Sequence, residues 1–286
     1  MAGILREIWT GELLTAFRAE ASFMAGIPNY SNRVQGNKSI HLVDVGVDPA
    51  VLINNSTFPI PKAGRADADI SISLDKYDTE NTTVTWDELH GISFDKIKSV
   101  NQTHKDALVE KTGEKSIYNI APAGNTSKTP VFATVGATFA VKDIIAMKRK
   151  FDDANIPSMG RRLVLCPEHI EALLGESEAF SKQYSLDTVN GKVGRIMGFD
   201  VYEYSKNPVY TGTTKKAFGA TAAPATDKNS SVAFFTPRMF QAQGKILMTA
   251  IKAEDNPTMR ENVIGYQMYH IALPKKQEGI GAIVSQ

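Results

Sequence analysis

The chain has a single cysteine, Cys166, among its 286 residues. No disulfide can form within one chain, and this cysteine content fits a reducing compartment. Cys166 follows the apolar run Arg162-Leu163-Val164-Leu165, and a thiol in such a place is more often an inert core residue than a reactive one.

The chain also lacks long apolar runs and an excess of charge of either sign. No stretch is long and apolar enough to span a bilayer, and Glu7 and Glu12 interrupt the N-terminus where a secretory signal would be apolar. The net charge is +1, so the chain as a whole lacks the positive charge that attracts a polyanion such as nucleic acid. A local basic face is compatible with this balance. A content of 42% hydrophobic and 22% charged residues is ordinary for a soluble globular protein, and the length suffices for one large domain or two.

Motifs that carry chemistry are missing as well. None of the five histidines lies at metal-ligand spacing from another, and no Gly-x-Ser-x-Gly element occurs. The stretch GNTSKT from Gly124 to Thr129 lacks the glycine that a phosphate-binding loop needs directly before its lysine. Asp67-Ala68-Asp69 lacks the rest of a calcium loop. We therefore predict no catalytic, cofactor-binding or metal-binding residue, and a protein that is not an enzyme.

The most informative stretch, residues 137–175, predicts a helix, a turn, a strand and a second helix. Thr138 is the expected cap of the first helix, whose apolar residues recur three and four apart. Asn155 and Pro157 are expected to end it. Pro167 suits the first turn of the second helix, because its missing N–H would be unpaired there in any case. The apolar side chains of the first helix are Val141, Ile144, Ile145, Met147 and Phe151.

Near the N-terminus, apolar residues at helical spacing include Trp9, Leu13 and Phe17. Two interpretations are equally open from this pattern alone. The segment either folds onto its own domain or forms an arm that lies across a neighbouring subunit.

Residues 67–93 predict a long hairpin. Ile70 and Ile72 alternate with polar residues, and Thr83 to Trp86 is a second β-rich run. The stretch between these runs is polar, and an isolated two-stranded ribbon is marginal in water. We therefore expect another subunit to hold the hairpin, with an ordinary edge hairpin as the alternative. The residues assigned to its tip are Tyr77, Asp78, Glu80 and Asn81.

After the hairpin, a long helix is expected to begin near Ser93 and to end at Gly113. Further along, the stretch from Gly191 to Tyr204 predicts a turn and a strand. Residues 205–230 are rich in Lys, Thr, Ala and Gly and predict an exposed loop, and residues 231–274 return to strand character.

Three phrases resemble the major capsid proteins of tailed bacteriophages. They are Asp153-Ala154-Asn155-Ile156-Pro157, the stretch from Gly160 to His169, and Gly194 to Val201. The order of arm, hairpin, long helix, central domain and returning strands is also similar to that family, whose fold is shared with encapsulins. The resemblance implies an α+β fold with an N-terminal arm, an extended β-hairpin loop, a peripheral domain built on a long spine helix, and an axial domain.

On this resemblance we divide the chain into six parts. They are the arm (1–35), an extended peripheral segment (36–66), the projecting hairpin (67–93), the peripheral domain with its spine helix (94–136), the axial domain (137–245), and the returning strands of both domains (246–286).

The resemblance implies a coat protein that assembles into the pentamers and hexamers of an icosahedral shell around a double-stranded DNA genome. Its expected place is the virion, after assembly in the cytoplasm of the host bacterium. Implied partners are further copies of the chain, a separate scaffold protein, a portal protein, DNA held without sequence preference, and decoration proteins. Subunit contacts are expected at Trp9, Leu13, Phe17, Tyr77, Asp78, Glu80 and Asn81, and contacts close to DNA at Arg6, Arg18 and Arg33.

Two alternatives stay open at this point. One is the shell of an encapsulin-type compartment, which has this fold but holds protein cargo. The other is a soluble α+β enzyme.

Overall fold

The structure is a computed structural model with three α-helices in the part of the chain that it describes: α1 (Lys96–Ile120), α2 (Val141–Asp153) and α3 (Pro167–Glu176). None of the three has the length and apolar character needed to cross a membrane. The described residues are 22–36, 38–44, 56, 58–59, 68–85, 96–176, 192–256 and 258–286.

The strands form two larger sheets and two small ones within these residues. In chain order they are β1 (Val34–Gln35), β2 (Ser39–Asp44), β3 (Ala68–Ser73), β4 (Asp75–Asp78), β5 (Thr82–Thr85), β6 (Val131–Ala133), β7 (Arg161–Leu165), β8 (Lys192–Ile196), β9 (Phe199–Glu203), β10 (Tyr210–Thr211), β11 (Thr214–Lys215), β12 (Asp227–Lys228), β13 (Ser230–Phe235), β14 (Met239–Gln243), β15 (Leu247–Ile251), β16 (Glu261–Pro274) and β17 (Ile280–Val284).

The larger sheet has the order β6-β17-β13-β7-β9-β8. Strand β7 runs parallel to β9 and β6 runs parallel to β17, whereas the other neighbours are antiparallel. Helices α2 and α3 pack on one face through buried residues such as Phe151 and Leu173. The last turns of α1, with Ile117 and Ile120, pack on the other face together with Phe23. Both faces are therefore covered, which explains the near-continuous apolar runs of β7 and β13.

The second sheet is organised around β16. Strands β14 and β15 pair with successive parts of one edge of β16, and β4 and β5 pair with the other edge. Successive side chains of a strand alternate between faces. Ile264, Tyr266 and Met268 accordingly pack beneath α1, whereas Ile271 packs on the opposite side against Phe240.

This arrangement corrects the predicted hairpin of residues 67–93. Strand β3 pairs with β2, and β4 and β5 both lie on β16 of the same chain. The polar run between the two β-rich stretches is not a solvated tip, because it contains an edge strand with one half-buried face. A sequence pattern identifies strands without identifying their partners, and the projecting ribbon of this chain is the β2–β3 pair.

The predicted end of the long helix at Gly113 is also wrong, because α1 continues to Ile120. A Cβ atom added at Gly113 would lie 3.0 Å from the hydroxyl oxygen of Tyr204. Glycine at this position therefore leaves room for the Tyr204 side chain against α1, a requirement that comes from packing and not from the end of a helix.

The helix–strand–helix prediction is confirmed for α2, β7 and α3, but the residue that caps α2 is not the predicted one. Thr138 does not begin α2. The carboxylate of Asp143 accepts hydrogen bonds from the backbone N–H groups of Ala140 (2.8 Å) and Val135 (2.7 Å) and so performs the capping. Asn155 adopts a positive φ of 53° directly after the helix, as expected for its end.

Residues 205–230 are more ordered than the loop predicted for them. Strands β10, β11 and β12 form a small sheet, and the Tyr210 ring is buried with its hydroxyl donating to the carbonyl oxygen of Pro122 at 2.5 Å. The ammonium of Lys215 donates to the carbonyl oxygens of Tyr118 (2.8 Å) and Ala121 (2.6 Å). This segment therefore caps the C-terminal end of α1.

The predicted domain limits at 137 and 245 also shift. Strand β6 already belongs to the six-stranded sheet, and β14 already belongs to the sheet around β16. The final segment contributes to both sheets, with β15 and β16 in one and β17 in the other.

Candidate assembly surfaces

The β2–β3 ribbon has apolar side chains along its whole length, and their exposure rises from its base to its outer end. At its base Ile40 is fully buried, packed with Leu74 against the second sheet. Farther out, Val43 is 66% exposed and Ile70 is 41% exposed. The described residues of this chain do not cover these distal apolar side chains, so the end of the ribbon is a candidate contact surface.

Register places four apolar residues of the ribbon on one face and Val43 on the other. Ile40 lies opposite Ile72, and Leu42 lies opposite Ile70, so these four side chains share a side. The other face carries the His41 imidazole, whose Nδ1 lies 3.2 Å from the Asp69 carboxylate. The ribbon is therefore amphipathic, as expected of an element that lies on another surface.

The described part of the predicted arm packs on its own chain. Phe23 is buried and meets Tyr204 edge to face at 5.0 Å, and the guanidinium of Arg162 donates to the Phe23 carbonyl oxygen at 2.7 Å. Arg33 is exposed and stacks on the ring of Tyr30 at 4.6 Å. The other predicted arm residues, Arg6, Trp9, Leu13, Phe17 and Arg18, lie outside the described residues.

The four predicted tip residues lie on strand β4 and the turn that follows it. Tyr77 lies opposite Met268, and Asp78 lies opposite Gln267, whose amide donates to the Asp78 carboxylate at 2.8 Å. Lys76 forms an ion pair with Asp78 at 2.6 Å, and this contact holds the pKa of Asp78 below its usual range. Asn81 packs closely over Gly265, where a side chain would not fit. Glu80 is exposed. These residues therefore support the fold of their own sheet.

A second exposed apolar surface lies on the outer face of β15 and the loop that follows it. Leu247, Ile251 and Met259 are 46%, 49% and 69% exposed. Leu247 and Ile251 lie on the face of the sheet that α1 does not cover, since Met248 between them packs beneath α1. In the sequence, the spacing of the apolar residues of β15 does not show which face of the strand is covered.

The polar groups of the larger sheet have structural roles. His169 is buried, stacked on Phe139 at 4.3 Å, with its ring nitrogens 2.7 Å from the Ser231 hydroxyl and 2.9 Å from the Ser285 hydroxyl. Burial lowers the pKa of His169 to about 4, so the ring is neutral at pH 7. Burial also raises the pKa of the Cys166 thiol, which opposes thiolate formation.

Among the described residues, no group of three or more His, Cys, Asp or Glu side chains is placed to hold a metal ion. The sequence signal that could have revealed the ribbon is the alternation of Ile40 and Leu42 with polar residues.

Comparison with known proteins establishes the fold. No protein-family profile matches the chain, and no curated protein matches it by sequence. The capsid structure of cyanophage P-SCSP1u matches with a TM-score of 0.67 and 13% identity, covering 92% of this chain and 88% of that chain. The capsid of Ralstonia phage GP4 matches with a TM-score of 0.67 and 9% identity, covering 92% and 87%. The capsid of the native GTA particle matches with a TM-score of 0.63 and 11% identity, covering 93% and 90%.

These matches extend over almost the whole of both partners. The chain therefore has the fold of tailed-phage major capsid proteins, which confirms the α+β fold expected from its sequence.

Proposed function

We propose that the chain is a major capsid protein that assembles into the pentamers and hexamers of an icosahedral shell around the double-stranded DNA genome of a tailed phage. The observation that carries this proposal is the fold match to capsid structures over about nine tenths of both chains. A match of this extent takes in most of both chains.

The β2–β3 ribbon supports the same function. Ile70, on the apolar face of the ribbon, exposes surface that a second subunit would bury, at about 25 cal/mol per Å². One such contact is modest, but a closed shell repeats it in every subunit, and each subunit is then held by several neighbours. A shell built in this way is stable although each pairwise contact is weak.

The proposed partners follow from this role. They are other copies of the chain, a separate scaffold protein during assembly, a portal protein, decoration proteins and packaged DNA bound without sequence preference. Arg33 is the described candidate for a contact close to DNA, because its guanidinium is exposed on the ring of Tyr30. The proposed location is the virion, with assembly in the host cytoplasm, and the proposed role is structural and not enzymatic.

Electron microscopy of the purified chain, expressed alone and with a scaffold protein, tests the proposal. We expect closed particles whose capsomers show fivefold and sixfold symmetry. A chain that stays monomeric by light scattering in every assembly condition, and whose melting temperature responds to a small ligand, would instead support an enzyme. Small particles filled with a co-purifying protein would support an encapsulin-type compartment.

A further inference from the structure

Strand β15 forms an edge of the second sheet. It pairs with β16 on one side and has no strand partner on the other among the described residues. Free strand edges are usually protected by charged side chains, proline or bulges. Strand β8, at the edge of the larger sheet, has Lys192 and Arg195 and an irregular register. The sequence Leu247-Met248-Thr249-Ala250-Ile251 of β15 has no charge and no proline, so this edge is open to another strand.

The backbone groups of β15 that point away from β16 follow from the contacts of Tyr266. Its carbonyl oxygen accepts from the Thr79 N–H at 2.9 Å, and its own N–H donates to the Thr79 hydroxyl at 2.9 Å. The backbone of Tyr266 therefore points to the edge of β16 that β15 does not occupy. Met248 lies opposite Tyr266, and the orientation alternates along an antiparallel ladder. The N–H and C=O groups of Met248 and Ala250 thus point out of the free edge.

The side chains of β15 have the same pattern in both directions about Thr249. When two copies pair antiparallel with Thr249 opposite Thr249, each Met248 lies opposite the other Ala250, and the outward backbone groups of these two residues form hydrogen-bonded pairs. Each Leu247 then lies opposite the other Ile251 on the face that α1 does not cover. These two side chains are 46% and 49% exposed, and the pairing buries them against each other. The strand is therefore complementary to a second copy of itself.

The symmetry of this pairing fits a shell. A twofold axis perpendicular to the sheet relates the two strands, so helix α1 lies on the same side in both copies. A shell with one inner and one outer surface requires this of its subunits. Neighbours within a pentamer or hexamer are related by fivefold or sixfold rotation, so a twofold contact between adjacent subunits joins two capsomers.

We propose that β15 pairs with β15 of a second copy about a twofold axis at Thr249, and that this pairing joins neighbouring capsomers. The second sheet then continues from one subunit into the other. This inference rests on the proposed shell function and adds a contact between capsomers.

Disulfide trapping with a single introduced cysteine tests the pairing in assembled particles. Thr249→Cys should give covalent dimers and no larger product on a non-reducing gel after oxidation. Residues that face each other in a non-hydrogen-bonded pair have Cα atoms about 4.5 Å apart, which is within disulfide range. The native Cys166 is 3% exposed, so the background of the parent chain is low.

Leu247→Cys is the matched control on the same face of the same strand. Its two copies would lie about 14 Å apart in the proposed pairing, because they are offset by four residues of strand, and no dimer should form. Leu247→Cys/Ile251→Cys should restore the dimer. This double variant also replaces Thr249→Cys as the test if that substitution blocks assembly.

A charge exchange gives a second measurement that does not depend on cysteines. Leu247→Lys and Ile251→Glu should each reduce the yield of particles, because each places a charge opposite an apolar side chain. The double variant places every Lys opposite a Glu of the other copy and should restore the yield. A yield that stays low in the double variant would contradict the pairing.

Other results would also overturn the proposal. They are particles of Thr249→Cys that remain uncrosslinked, an equal amount of dimer from Leu247→Cys, or a ladder of products larger than dimers. Protection of Thr249→Cys from a maleimide, without a dimer, would assign the edge to a different strand. Particles without the dimer contradict the strand pairing alone, whereas a parent chain that never forms particles contradicts the shell function as well.

Discussion

The backbone N–H of Leu74 donates a hydrogen bond to the carbonyl oxygen of Lys38 at 2.8 Å. Lys38 directly precedes β2 and Leu74 directly follows β3, so this bond closes the ribbon at its base. The Leu74 side chain is buried beside Ile40 and Phe240. The base of the ribbon is thus part of the core of its own subunit, whereas the described residues give the distal end no such support.

This difference predicts that substitutions at the distal end of the ribbon mainly affect assembly, whereas substitutions at its base mainly affect the stability of the subunit. Ile70→Asp should lower the free energy of unfolding of the isolated subunit by only about 1 kcal/mol, because the side chain is already partly in water and the main cost is that of aspartate in a strand. It should prevent assembly, as measured by electron microscopy and sedimentation. Ile40→Ala, the control at the base, should lower the unfolding free energy by about 2–5 kcal/mol. Normal particles from Ile70→Asp would contradict the assigned role of the ribbon.

The close approach of Gly113 to Tyr204 predicts an interaction between two substitutions. Alanine is favoured over glycine by about 1 kcal/mol within a helix. In a Tyr204→Phe background, where the hydroxyl is gone, Gly113→Ala should therefore stabilise the subunit by about that amount. With Tyr204 intact the gain should be smaller by at least about 0.5 kcal/mol, since the new Cβ meets the hydroxyl at 3.0 Å. Urea unfolding of the four chains measures this, and additive effects would show that Gly113 is not required for packing.

The buried carboxylate of Asp143 should be important for α2. Asp143→Ala removes the acceptor of two backbone N–H groups, and it should lower the free energy of unfolding by about 3 kcal/mol. Asp153→Ala is the matched control on the same helix, because the exposed Asp153 only approaches Arg149 at 3.9 Å, and its cost should be under about 0.5 kcal/mol. Equal effects of the two substitutions in thermal or urea unfolding would refute the capping role.

Two buried histidines predict acid sensitivity of the subunit. Burial lowers the pKa of His270 from 6.5 to about 4, and that of His169 to about 4. An unfolded chain therefore binds these protons at a higher pH than the folded chain does. The stability provided by each neutral ring is complete above pH 6.5 and is lost progressively as the pH falls towards 4.

The expected loss for His270 is on the order of 3 kcal/mol between pH 7 and pH 4. His270→Gln should flatten the dependence of unfolding free energy on pH in this range, and the His169 contribution should persist. Urea unfolding at half-unit pH intervals measures both chains. An unchanged slope in His270→Gln would show that this ring does not titrate with unfolding.

Local patterns were sufficient where an element is defined by its own residues. The spacing of Ile144, Met147 and Phe151 predicted α2, and Pro167 correctly marked the start of α3. The Gly191–Tyr204 stretch predicted a turn and strand, and the structure has the β8–β9 hairpin there, with positive φ angles at Met197 and Gly198. In each case the signal is a periodicity or a turn residue that acts within a few positions.

Contacts between distant segments were not available from such patterns. Strand β4 has the same alternation whether it pairs with a hairpin partner or with β16, and only the folded chain selects β16. Glycine is typical of a helix end, but α1 continues through Gly113. The Tyr204 hydroxyl leaves little room for a side chain at this position.

The amino-acid sequence alone determined the class of fold, the helix–strand–helix unit and the resemblance to phage coat proteins, because these depend on short-range spacing and on short sequence motifs. The tertiary structure alone decided which two strands form the projecting ribbon and which apolar side chains remain in water. That choice depends on pairing across about 190 residues, as between Tyr77 and Met268, and strand pairing at such separation leaves no local trace.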